Sequence, residues 1–196
     1  MATSVTRAPS RLTGRTDPLA SDATPLAADP LAGRVARFAD LEPSSTLFID
    51  TVIPGYARTI WSIVGQNVGE NREAQAAIPP DGFHLAVIEA EPGNGSALHT
   101  HTTVEVFMAL TGRWQLFYGD DGEREVILEQ LDVCSVPPAV WRGFRNAGES
   151  SGRLLVLVGG TDAGRLTWAP DVIEQARALG GILDDDGYMP GGEDAS

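Results

Sequence analysis

Apolar and polar positions alternate over short stretches through most of this chain. From Tyr56 to Gly65, Thr59, Trp61 and Ile63 fall on one face and Arg58, Ile60, Ser62 and Val64 on the other, the two-residue period of a strand. Just before it, the β-rich run Thr46–Ile53 stops at Pro54-Gly55 and predicts a further strand. After a polar loop, Phe83–Ala90, Val104–Leu110, Trp114–Tyr118 and Glu125–Leu128 read as short strands, with Gly119-Asp120-Asp121-Gly122 as a hairpin turn. Val133–Val136, Trp141–Arg145 and Leu154–Val158 continue the series. Short strands at this spacing predict an all-β fold, a closed barrel or jelly roll. One helix is expected at Pro170–Leu179. Proline suits its first turn, Val172, Ile173, Ala176 and Leu179 form one apolar stripe, and Gly180 ends it. It is expected to pack outside the barrel.

The ends lack such patterning. Residues 1–35 are rich in Ala, Pro, Ser, Thr, Asp and Arg and are expected to be a disordered arm. The barrel domain is expected at 36–180, followed by an acidic flexible tail at 181–196.

Composition narrows the chemistry. The chain has 196 residues, enough for one core, and a formal charge of -13. All 14 of its basic residues are arginine, which removes Schiff-base lysine chemistry. An acidic chain without a basic stripe is ill suited to nucleic acid or anionic lipid, so a small molecule is the expected partner. Cys134 is the only cysteine, which excludes an intrachain disulfide and a thiolate zinc cluster, and it reads as a small buried hydrophobe. No run of about 18 apolar residues predicts a membrane span. Arg7, Arg11 and Arg15 stand among Ser and Thr, as in a transit peptide, but no signal-peptide core is visible, and the expectation is a cytoplasmic protein.

Two of the three histidines lie in Pro92-Gly93-Asn94-Gly95-Ser96-Ala97-Leu98-His99-Thr100-His101-Thr102-Thr103-Val104-Glu105. In an extended chain His99 and His101 face one way and Glu105 shares their parity. Two imidazoles and a carboxylate suit a borderline divalent metal, and with open positions they form a non-haem iron pattern.

The spacing Gly93-x5-His99-x-His101-x3-Glu105-x6-Gly112 resembles the first motif of the cupin superfamily at every fixed position. The second motif of that family aligns in part with Leu131–Asn146. Pro137 and Asn146 agree, Leu131 and Ala139 stand where glycines are usual, and Arg142 stands where the last metal histidine is usual. The resemblance spans roughly Phe83–Val158. It implies a cupin β-barrel and a homodimer, with His99, His101 and Glu105 as metal ligands. Fe(II) is the first expectation for the ion, with Mn(II), Ni(II) or Zn(II) as other choices. The activity first expected is that of a metal-dependent dioxygenase acting on a small anionic or aromatic compound. A Lewis-acid isomerase or lyase and a non-catalytic binding barrel are the alternatives.

Guanidinium has no lone pair for a metal, so Arg142 cannot replace the histidine. Three readings stay open. Arg142 points into the cavity and binds a substrate anion; or it pairs with Glu105 and weakens the metal site; or His84 supplies a displaced fourth ligand, against its plainer reading as a half-buried strand residue. Phe107, Trp114, Phe117, Trp141 and Phe144 are expected mainly to fill the core. Arg58 and Arg113 are expected to be solvated.

Overall fold

The computed structural model describes residues 29–65, 69–71, 74–160 and 166–189; the remainder, including most of the expected arm and residues 190–196 of the tail, lies outside the described residues. Ten strands form: β1 (Thr59–Val64), β2 (Phe83–Ala90), β3 (Gly95–Thr100), β4 (Glu105–Thr111), β5 (Trp114–Tyr118), β6 (Arg124–Leu128), β7 (Val133–Val136), β8 (Arg142–Asn146), β9 (Gly152–Gly159) and β10 (Thr167–Trp168). They make two five-stranded antiparallel sheets, ordered β1-β2-β9-β4-β7 and β10-β3-β8-β5-β6. The expected all-β jelly roll is the observed fold.

Strand alternation fills the space between the sheets. Ile60, Ile88, Phe107, Leu116, Phe144, Leu154 and Val156 point inward and are buried. Phe107, Trp114 and Phe144 stack within this core, with ring centroids 5.6 and 5.9 Å apart along the series, so the expected core role of these aromatics holds. Asn146 binds this end of the barrel together. Its Nδ2 donates to the Ala90 and Ser150 carbonyls at 2.7 and 2.9 Å, while its Oδ1 accepts from Gly148 N–H at 2.9 Å.

A second apolar cluster lies outside the barrel. The helix α1 (Pro170–Ala178) buries Val172 and Ala176 against Ile49, Ile53 and Ala97. The expected strand at Thr46–Ile53 is corrected here, because Ile49–Val52 forms a 3-10 turn. Ile49 and Ile53 reach the cluster and Asp50, of the opposite parity, is fully buried as well, so both parities of this segment point inward. Within the acidic tail, Asp184–Gly187 turns, and Met189 N–H donates to the Glu70 carbonyl at 2.8 Å.

Candidate metal centre

Strand β3 carries the first ligand, and its register explains how. A shift between Ser96 and His99 lets both face the cavity, although they are three residues apart, while Ala97 between them packs under α1. The approach of β3 to β8 is so close that a Cβ on Gly95 would sit 1.9 Å from the Phe144 carbonyl oxygen, which requires glycine there. His101 follows the end of β3, and Glu105 opens β4 in the opposite sheet.

These three side chains converge. His99 Nε2 lies 3.9 Å from Glu105 Oε2 and His101 Nε2 lies 3.9 Å from Glu105 Oε1. One donor atom from each residue falls within 4.8 Å of the others, the one such histidine-carboxylate group found among the described residues, and all three residues are buried. The His99 ring is oriented by its own strand: Nδ1 is 2.8 Å from the Ala97 carbonyl, which can only accept, so Nδ1 carries the proton and Nε2 keeps the lone pair. Burial holds the His99 pKa well below its ordinary value, and the neighbouring His101 and Arg142 push it further down. The imidazole is therefore neutral and available as a ligand. This donor set fits a divalent transition metal.

Arg142 is placed beside it. Its partner across β3 and β8 is His99, so the two side chains share the inner face. The fully buried guanidinium donates from Nε to Glu105 Oε2 at 2.8 Å and from Nη1 to the Val140 carbonyl at 3.0 Å, while Nη2 has no acceptor among the described residues. Arg142 is not in the cavity wall, which is the geometry of the Glu105-paired reading. Burial raises the Glu105 pKa, and the charge and hydrogen bond of Arg142 draw it back. One guanidinium contact leaves most of the carboxylate's lone-pair directions open.

The cavity offers about 70 Å³ of water-accessible volume. His84 lines it and is buried, without joining the ligand group. Its apolar wall includes Phe48, Ile60, Val158, Leu166 and Trp168; the Trp168 ring centroid lies 5.3 Å from that of His99.

Several of these residues were not expected from sequence. Arg58, read as solvated, is buried and lines the cavity. It pairs with fully buried Asp50 through two 2.9 Å contacts. Its parity with Ile60 and Ser62, both cavity residues, was the available signal. Arg113, by contrast, is exposed and pairs with Glu129 at 2.9 Å. Glu70 accepts from Ile49 N–H and the Trp168 indole N–H, both at 2.6 Å, and burial pushes its pKa up to about 7.

Residues 86–158, which include the buried His-His-Glu group and most of the two facing sheets, match the family described as Cupin domain. No curated protein matches it. Among solved structures it is similar to a cupin 2 domain-containing protein from Halorhodospira halophila, at 23% identity over 62% of this chain and 77% of that one, with a TM-score of 0.45. It is also similar to an oxalate oxidase, at 14% identity over 80% and 68% of the two chains (TM-score 0.49), and to the DMSP lyase DddQ from Ruegeria pomeroyi DSS-3, at 16% identity over 56% and 50% (TM-score 0.46). This chain spans about half the length of that lyase, and 52% of the chain in a structure of the DMSP lyases RdDddP and RnDddQII. None of these likenesses carries an argument about chemistry. No helix among the described residues is long and apolar enough to cross a membrane.

Proposed function

We propose that this cupin binds a divalent transition metal through His99, His101 and Glu105, and that with Fe(II) it is a dioxygenase for a small anionic compound. The observation that carries the reading is the His99 hydrogen bond to Ala97, which commits Nε2 to the point faced by His101 and Glu105. When bound, the ion supplies Lewis acidity to a ligand's oxygen atoms and, if it is iron, a route for electrons to O2.

The chain's own residues define the rest. Three ligands leave positions for other molecules, and much of the wall around them is apolar. Ser96 Oγ, 3.4 Å from His99 Nδ1, supports the ring from the protonated side. In a dioxygenase both oxygen atoms enter the product and the substrate supplies the electrons, so no further reductant is needed. Oxygen-electrode assays of Fe(II)-loaded protein with a panel of small carboxylates test this. Uptake stoichiometric with substrate loss, and absent in His99→Ala, supports it; turnover without O2 uptake points instead to Lewis-acid isomerase or lyase chemistry.

One observation favours a second reading. The Arg142–Glu105 ion pair already neutralises the carboxylate without a metal, as a barrel that only binds a small molecule would require.

A further inference from the structure

The cavity wall changes character along the strands that build it. Glu105 pairs with Val158, and Val158 with His84, so the ligating carboxylate and His84 stand in one row across β4, β9 and β2. Two residues further along each strand, about 7 Å away, the next inward row carries Val156 and Ala86, with Ser62 at its edge on β1. The row after that carries Ile88 and Ile60. All five of these residues line the cavity, and Phe144 closes it from the facing sheet. Neither of the two rows carries a charged side chain. Arg58, the arginine in the wall, has its terminal nitrogens on the Asp50 carboxylate and on the Tyr56 and Gly95 carbonyls.

The cavity therefore has a ligating end at His99, His101 and Glu105 and an apolar end one or two rows beyond it. A charged or hydroxyl group placed in the apolar end gives up water without gaining a partner, whereas each methylene buried there raises affinity about fourfold. The water-accessible volume of about 70 Å³ limits the occupant to roughly six heavy atoms. We infer that the site takes a short-chain aliphatic monocarboxylate, its carboxylate toward the ligating end and its alkyl chain against Val156, Ala86 and Ile88. The inference rests on the metal reading proposed above.

The test compares butanoate with 3-hydroxypropanoate, which puts a hydroxyl in place of the terminal methyl and keeps the chain length and the single negative charge. Because the two acids carry the same charge, the comparison does not depend on which interior groups are ionised. Isothermal titration is run at pH 7.5 on Mn(II)-loaded wild type, Val156→Thr and Ala86→Ser, each variant placing a hydroxyl in the apolar row. A buried hydroxyl without a partner is disfavoured, so wild type should prefer butanoate by at least about tenfold. Each variant offers that hydroxyl a partner and should lower the preference by at least about threefold. A wild-type preference below tenfold, or no binding of either acid to the loaded protein, overturns the inference and leaves the metal site standing. A preference unchanged in both variants does the same, and the wild-type comparison stands even where a variant fails to fold. Absence of Mn(II) uptake overturns the metal reading and this inference together.

Discussion

Asp50 and Arg58 form a two-point ion pair inside the protein, with Oδ1 to Nη2 and Oδ2 to Nη1 both 2.9 Å. The same carboxylate accepts Ala97 N–H at 3.0 Å, and the guanidinium donates to the Tyr56 and Gly95 carbonyls at 2.9 and 3.0 Å. The pair thus fastens the 3-10 turn and β1 onto β3, the strand that carries His99.

Removing one partner leaves a buried charge uncompensated, so Asp50→Ala should lose about 3–5 kcal/mol. An apolar replacement of both, Asp50→Leu with Arg58→Met, should cost less than the two single changes summed, with coupling of about 2 kcal/mol. Urea unfolding of the four proteins in the cycle measures this; additive losses would show that the pair contributes nothing as a pair.

Leu131 and Ala139 have φ of 71° and 63°, a left-handed backbone that strains a residue with a Cβ. Both are exposed, so little burial is lost on truncation. Leu131→Gly and Ala139→Gly should each stabilise by up to about 1 kcal/mol. Thermal unfolding checks the sign, and a lower Tm in both would contradict the argument from φ.

Glu70 gives the pH prediction. Its folded pKa of about 7 lies above the ordinary 4.5, so the folded state holds the proton more tightly than the unfolded chain. Its contribution is fully present below pH 4.5 and is lost as pH rises through 7, by about 3 kcal/mol in all. Glu70→Gln should flatten stability between pH 5 and 8, although its amide nitrogen must face one of the N–H donors at Ile49 or Trp168 and lowers stability overall. An unchanged pH profile in Glu70→Gln would assign the dependence to other groups.

The parts legible in sequence are those set by local parity. His99 and His101 could be grouped because a short extended segment fixes their relative directions, Glu105 entered through the motif spacing although it lies beyond a bend in the opposite sheet, and Leu131 and Ala139 could be marked because glycine is usual there. Arg58, Phe48 and Trp168 were missed as cavity residues because they reach it from the residues just before β1 and the 3-10 turn and from β10, whose placement depends on the completed sheets. Thr46–Ile53 looked like a strand because its residues favour one. Tertiary burial of Ile49, Asp50 and Ile53 overrides that propensity.

The central claim is the metal site, and metal stoichiometry tests it most directly. Protein saturated with Mn(II), freed of excess ion and measured by elemental analysis should carry close to one ion per chain, and the His99→Ala, His101→Ala double variant, shown to be folded by circular dichroism, should carry almost none. Wild type that retains no ion, or a double variant that retains as much as wild type, would contradict the account.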